Sequence, residues 1–136
     1  MIAVRTLHRA QRFPHAEAAR LVRLVARGEG VLIRSLSLVL VGDRFMRELN
    51  RRHLRHDWTT DVLSFSYGTW KVIEGEIVVN LDQAKRQAPD FGATTGQEIR
   101  RLIVHGMLHL AGHEDRTHAL RQRMHRREDR YLRPSS

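Results

Sequence analysis

One apolar stretch, residues 97–111, constrains the fold of this chain more than any other feature. Apolar side chains recur there at helical spacing, and Gly112 follows directly. A helix of this composition has to be largely buried, so we expect it to be the central helix of the fold. The stretch also contains two histidines, His105 and His109, which an apolar environment does not favour unless they have partners.

The length of the chain and its lack of cysteine limit the class of protein. The 136 residues include no cysteine. We expect a single domain over residues 1–136, because roughly two thirds of the unfolded surface can be buried at this size without disulfides. Any metal site has to use nitrogen and oxygen ligands. The sequence shows neither the apolar run of a secretory signal nor a membrane span. We therefore expect a cytoplasmic protein with no membrane partner.

Net charge indicates the kind of partner. The chain has 24 Lys and Arg against 15 Asp and Glu, a net charge of +9, and Lys71 and Lys85 are its only lysines. A polyanion such as nucleic acid would match this charge, and the planar guanidinium suits bidentate contact with phosphate. A second interpretation stays open, in which the arginines reflect genome composition and the basic surface serves only solubility.

The hydropathy pattern predicts an α+β fold. Beside the central helix, it indicates helices over 15–27, 43–50, 81–88 and 117–132, strands over 31–41, 61–67 and 74–80, and a further strand candidate within 1–10. The strands over 61–67 and 74–80 are expected to pair as a hairpin, and residues 51–60 to form a loop. We predict a single domain in which a small mixed sheet of about four strands packs with helices. The central helix should face the loop across a basic cleft.

The spacing of the two histidines indicates a metal site. His105 and His109 are four residues apart, so their side chains differ by only about 40° around the helix axis. This is a standard way for a helix to present two nitrogen ligands to one divalent cation. Gly112 can end the helix and turn the chain back, which would bring the three residues after it near the open side of the metal. One of those three, His113, Glu114 or Asp115, is expected to complete the site.

The residue after the first histidine argues against a peptidase. In the metallopeptidase signature His-Glu-x-x-His, the glutamate at that position is the general base. Here the position is Gly106. Cleavage of a phosphodiester stays open, because an arginine could stabilise the charge that builds on the phosphate oxygens.

Two blocks of this sequence closely resemble the YbeY family of endoribonucleases. The first is His105-Gly-Met-Leu-His109-Leu-Ala-Gly112-His-Glu-Asp115, and the second runs from Leu49-Asn50 through Asp57 to Thr60-Asp61-Val62-Leu63-Ser64-Phe65, followed by Gly75-Glu76-Ile77. The resemblance extends from about Ser35 to Tyr131. It implies metal-dependent cleavage of single-stranded RNA in the maturation of the 16S ribosomal RNA 3′ end and in ribosome quality control. The implied partners are ribosomal RNA and the ribosome, and no DNA.

The resemblance also implies the site residues. Zinc would be held by His105, His109 and Asp115, one ion per chain, with Asp115 standing where the family usually has a third histidine. His113 and His118 remain fallback ligands, and iron, nickel or manganese would suit the same donors.

The family arginine that contacts RNA falls on Leu54 in this register. We therefore assign the catalytic role at the phosphate to its neighbour Arg55, while Arg51 and Arg52 on the preceding turn offer alternative cations. Asp57, Thr60 and Asp61 are interpreted as residues that satisfy loop amides rather than as ligands. The prolines that usually flank the Thr-Asp block are replaced by Thr59 and Ser66.

Two rival functions remain open at this stage. One is a metallopeptidase-like hydrolase. The other is a non-catalytic ribosome-binding protein in which the metal only fastens the last two helices.

Overall fold

A computed structural model describes residues 1–53 and 60–133. The elements, in chain order, are β1 Ile2–Thr6, α1 His15–Glu29, β2 Leu32–Val41, α2 Asp43–His53, β3 Val62–Ser66, β4 Val72–Asn80, α3 Leu81–Gln87, a 3₁₀ helix Ala88–Phe91, α4 Thr95–Leu110 and α5 His118–Leu132. The elements alternate and pack as the α+β fold predicted from the sequence. None of the helices in the described part combines the length and the apolar composition that crossing a membrane requires.

The described strands form one mixed sheet in the order β1-β2-β4-β3. β1 and β2 pair in parallel, as do β2 and β4, whereas β3 pairs antiparallel with β4. The predicted hairpin of β3 and β4 is therefore confirmed, and residues 1–53 and 60–133 contain the predicted four strands. Parallel neighbours need a crossover between them, which α1 provides between β1 and β2.

α4 is the central helix, as predicted. It contacts α1, α3, α5, β3 and β4, and its buried side chains join those of α1, β2 and β4 in the main apolar core. Thr94 caps its first turn by accepting from the Gln97 N–H at 3.1 Å, while the Gln97 side chain accepts from the Thr94 N–H at 2.9 Å. This capping box starts the helix two residues before the predicted position.

Other helix ends also differ from the prediction, and α1 runs two residues further, to Glu29. α2 continues to His53 rather than stopping at Asn50, because Arg51 and Arg52 pair with Glu48 one turn earlier and their charge favours the end of a helix. Residues 54–59 lie outside the described residues. α3 ends at Gln87, and the chain continues as the 3₁₀ helix, in which Pro89 stands where no N–H is needed.

α5 corresponds to the helix predicted over 117–132, and it is a basic helix that packs on the core. Met124 and Tyr131 are buried against the core, and most of its arginines are exposed. Glu128 is also buried, at 1% exposure. A carboxylate so deep in a basic helix needs a partner, and that partner lies on α4.

Candidate metal centre

The two histidines of α4 face each other at one edge of the helix. Their Nε2 atoms are 3.0 Å apart, and both rings are partly buried. The four-residue spacing produces this arrangement directly, because it places both side chains on one face of the helix. The structure thus brings together the pair that the sequence singled out.

The turn after α4 delivers the third candidate ligand. Gly112 has φ 99°, a conformation that glycine adopts without strain, and it ends the helix by donating to the His109 carbonyl at 3.0 Å. His113 N–H donates to the Leu108 carbonyl at 3.0 Å, which completes a Schellman motif. The chain then doubles back, and the Asp115 carboxylate lies 3.4 Å from the Nε2 atoms of both histidines.

The donors of His105, His109 and Asp115, here called the triad, suit a divalent cation. Their ligand atoms all lie within 4.8 Å of one another. Two ligands of a tetrahedral zinc ion at ordinary bond lengths are separated by about 3.4 Å. The two distances to Asp115 are 3.4 Å, so only the imidazole pair, at 3.0 Å, would need to separate by a few tenths of an ångström. Two nitrogens and one oxygen fit zinc and several other transition metals.

Glu128 orients the first histidine. Its Oε2 lies 2.6 Å from His105 Nδ1, which favours a proton on that nitrogen and directs Nε2 toward the triad. Burial lowers the pKa of His105, but the hydrogen bond and the charge of Glu128 outweigh it, so the pKa lies above its ordinary value. The negative charge that favours a protonated ring also favours a cation on the far nitrogen.

A buried ionic network supports Glu128. Arg101, one turn before His105, lies 3.5 Å from Glu128 Oε1 and donates two hydrogen bonds of 2.9 Å to Glu98. Gln87 donates to the same Glu98 at 2.6 Å. Both glutamates are 1% exposed, so Arg101 supplies the positive charge that such burial requires.

The remaining ligand candidates lie elsewhere. His113 Nε2 is 2.6 Å from Glu29 Oε1, and Glu114 pairs with Arg116 at 2.6 Å. His118 begins α5 and is exposed. Of the three residues after Gly112, Asp115 is therefore the one that the structure places with the histidines.

The described part of the second sequence block contributes hydrogen bonds around the cleft. The Asp61 carboxylate accepts from the Val62 N–H at 2.8 Å and from the Gln87 side-chain amide at 3.1 Å. The Thr60 carbonyl accepts from the Asn80 side-chain amide at 3.2 Å. These contacts support the structural interpretation of Thr60 and Asp61. Arg55 and Asp57 lie outside the described residues, so their roles stay predictions.

Two open cavities meet at the triad. One, of about 470 Å³, lies along β3, and the other, of about 320 Å³, lies between α4, α5 and the 3₁₀ helix. Asp61, His105 and Asp115 line both. The triad is therefore reached from two sides.

Gly106 packs against the sheet. A Cβ at this position would lie 2.8 Å from Ile77 Cγ2 and 3.2 Å from Ser64 Oγ. A side chain at position 106, where a metallopeptidase has its general base, would thus point into the helix–sheet contact. A glutamate has no room there.

Sequence reasoning missed Glu128, Arg101 and Glu98. A signal for Glu128 exists, because Met124, Glu128 and Tyr131 recur at helical spacing and place one carboxylate on the apolar face of a basic helix. The partner on α4, 23 positions away in the chain, has no such signal.

An α+β fold with two imidazoles and a carboxylate at an open cleft is typical of metal-dependent hydrolases. The chain belongs to the endoribonuclease YbeY family, whose model, described as Endoribonuclease YbeY, matches residues 8–136. A relative of that name from Chlorobium phaeovibrioides is 41% identical over 129 residues, covering 93% of this chain and 87% of the relative. Another, from Chloroherpeton thalassium, is 35% identical over 122 residues, covering 90% and 86%.

A solved structure shows the same fold. The solution structure of a Thermotoga maritima protein superposes with a TM-score of 0.66 at 23% identity, and the match covers 97% of this chain and 87% of that one. The family resemblance drawn from the two sequence blocks is therefore confirmed, and so is the predicted α+β architecture.

Proposed function

We propose that the protein is a metal-dependent endoribonuclease that cleaves single-stranded RNA and acts on ribosomal RNA, in the maturation of the 16S 3′ end and in ribosome quality control. The observation that carries the proposal is the convergence of His105, His109 and Asp115 at a cleft open on two sides, in a chain of the YbeY family. The net charge of +9 supports an RNA partner, and the resemblance extends the proposal to the ribosome and the cytoplasm, with no DNA expected.

The triad would hold one zinc ion per chain. A cation bound there would act as a Lewis acid on water or on a phosphate oxygen. The protein supplies the orientation of the ligands. Glu128 holds the His105 ring by its Nδ1, and the turn at Gly112 directs the Asp115 carboxylate toward both imidazoles. We assign the stabilisation of the phosphate to Arg55, in a segment that follows α2.

The rivals make different use of the same residues. A metallopeptidase would need a carboxylate next to the first histidine, and the packing of Gly106 on Ile77 leaves no space for one. A purely structural metal would have to hold α4 and α5 together. These two helices are already joined by the buried Glu128–His105 and Glu128–Arg101 contacts, so metal loss should not separate them.

Metal analysis and RNA cleavage on matched variants test the proposal. We expect His109→Ala and Asp115→Ala to lose most bound zinc and all cleavage of a single-stranded oligoribonucleotide, with helical circular dichroism largely kept. His118→Ala, an exposed histidine three residues beyond Asp115, should keep both zinc and activity. Unchanged metal content in Asp115→Ala would remove that residue from the site, and collapse of the fold in His109→Ala would favour the structural metal.

The role of Arg55 is tested separately. We expect Arg55→Gln to keep zinc and lose cleavage about a hundredfold, because a cation aimed at the developing phosphate charge contributes about 3 kcal/mol. Arg52→Gln, which removes the same charge from α2, is the control. Equal losses in the two variants would show a general charge effect rather than a specific contact.

A further inference from the structure

The cavity between α4, α5 and the 3₁₀ helix differs in lining from the cavity along β3. Among the residues that line only this cavity are one exposed aromatic ring, Phe91, and the basic side chains Arg101, Arg121 and His125. Neither the metal nor its supporting network requires the ring. An exposed aromatic beside cations is the composition with which proteins hold unpaired nucleotides.

Phe91 is exposed, and hydrogen bonds hold the backbone that carries it. It is 58% exposed at the end of the 3₁₀ helix, where Gly92 N–H donates to the Pro89 carbonyl and Ala93 N–H to the Ala88 carbonyl, both at 3.0 Å. The Arg101 guanidinium lies 4.4 Å from its ring centroid. Because the two bonds to Glu98 immobilise Arg101, the ring has a fixed support on that side.

The cavity has mixed charge, because the carboxylates of Asp61, Asp115 and Glu128 also line it. Arg101 is paired with Glu98 and Glu128. Arg121 makes only long hydrogen bonds of 3.4 and 3.5 Å to the backbone carbonyls of Asp115 and Arg116, and it pairs with no carboxylate in the described part of the chain. A guanidinium beside Asp115 that lacks an anionic partner is available for phosphate.

We propose that this cavity is a nucleotide subsite, in which Phe91 stacks one unpaired RNA base and Arg121 contacts a phosphate of the same strand next to the triad. The inference rests on the proposed function and deepens it. A base inside a duplex is already stacked and cannot present its face to Phe91, so the subsite gives a physical reason for a preference for single strands. Stacking on an aromatic ring accepts any base, so the subsite holds a strand without reading its sequence.

The stacking role of Phe91 can be tested by oligonucleotide binding. The probe is a nuclease-resistant 2′-O-methyl oligonucleotide, and fluorescence anisotropy measures its binding to the metal-loaded protein. We expect Phe91→Leu to weaken single-strand binding about tenfold and to leave binding of the matching duplex unchanged. Phe91→Trp should retain the single-strand affinity. Phe45→Leu is the matched control, since Phe45 is also an exposed phenylalanine, at 42%, and lines a separate cavity beside Gly42 and Asp82.

The salt dependence of single-strand binding tests whether Arg121 contacts a phosphate. Arg121→Gln should lower the slope of log affinity against log salt concentration by about 0.7, the value for one lost phosphate contact on a single strand. Arg123→Gln removes an equal charge from the same helix about 200° away around its axis and should change the slope less. Equal slopes in the two variants would remove Arg121 from the subsite.

Kinetics separate this inference from the proposed function. In a cleaving enzyme, Phe91→Leu should raise KM for single-stranded RNA about tenfold with kcat little changed. If the wild type does not cleave RNA but Phe91→Leu still loses single-strand binding, the nuclease proposal fails and the subsite stands. If the wild type cleaves and Phe91→Leu matches Phe45→Leu in KM and in binding, the subsite is overturned and the nuclease stands.

Discussion

Glu128 Oε2 lies 2.6 Å from Nδ1 of His105, so a buried carboxylate of α5 sets the orientation of a candidate metal ligand on α4. The contact joins the two helices and fixes which nitrogen of the ring faces the triad. It also explains why a glutamate that is only 1% exposed is tolerated there. The metal site and the docking of α5 therefore depend on the same hydrogen bond.

Replacing Glu128 should weaken metal binding without removing any ligand. We expect Glu128→Ala to lower zinc affinity about 10- to 100-fold, because the His105 ring loses the acceptor that orients it. Glu128→Gln should lose less, since its amide oxygen still accepts from Nδ1. Chelator competition measures the affinity, and thermal unfolding of the zinc-free proteins reports the separate structural effect. Asp129→Ala, the neighbouring exposed carboxylate, is the control; an equal affinity for Glu128→Ala and this control would contradict the role.

Gly106 should not tolerate a methyl group. A Cβ there would meet Ile77 Cγ2 at 2.8 Å in the buried helix–sheet contact. We expect Gly106→Ala to lower the free energy of unfolding by about 1–2 kcal/mol, since overpacking outweighs the better helix propensity of alanine. Gly96→Ala, on the same helix with only the Thr94 hydroxyl 4.0 Å away, should instead stabilise slightly. Urea unfolding measures both, and a stabilised Gly106→Ala would show that the contact can relax.

Glu29 should contribute far more to the stability of the fold than an ordinary surface carboxylate does. It is 5% exposed and accepts from His113, Arg127 and the Tyr131 hydroxyl, which joins α1 to the turn after α4 and to α5. We expect Glu29→Ala to lower the free energy of unfolding by about 2 kcal/mol, because the buried Tyr131 hydroxyl and the half-buried His113 and Arg127 side chains lose their acceptor. Glu17 is on the same helix as Glu29 and forms a partly exposed pair with Arg100 of α4. Glu17→Ala should lower the free energy of unfolding by about 1 kcal/mol or less. Equal losses would show that burial adds nothing to the Glu29 contacts.

The Asp43–Arg86 pair should make part of the stability dependent on pH. Arg86 donates hydrogen bonds of 2.6 and 2.7 Å to the two carboxylate oxygens, and these bonds hold the pKa of Asp43 below its ordinary value. A carboxyl with a lowered folded-state pKa stabilises the fold at pH values above its unfolded pKa, near 4, and loses this contribution as the pH falls through the folded value.

Asp43→Asn should therefore be less stable than the wild type at pH 6, and the difference should shrink by pH 3. Urea unfolding at the two pH values measures it. Asp90→Asn, an exposed carboxylate on the 3₁₀ helix, serves as the control. A difference that stays constant between pH 6 and pH 3 would contradict the contribution of ionised Asp43.

The sequence by itself determined the features whose geometry is set within a few turns of chain. The apolar period of residues 97–111 defined the central helix, and the four-residue spacing of His105 and His109 placed both rings on one face. Gly112 predicted a turn that returns the following residues to them, and the family resemblance selected Asp115 among these. These relationships follow from helix geometry and from backbone conformation. They need no knowledge of the distant parts of the chain.

Only the tertiary structure decided which distant residues complete the site. The partners of His105, His113 and Arg127 lie 23, 84 and 98 positions away, and the parallel order β1-β2-β4 sets where α4 lies on the sheet. No local pattern specifies such contacts, because they arise when whole elements pack and buried charges must find partners. The Glu128 contact and the two cavities around the triad therefore emerged from packing, whereas the two histidines and a turn able to supply a third ligand were predicted from one helix and the residues that follow it.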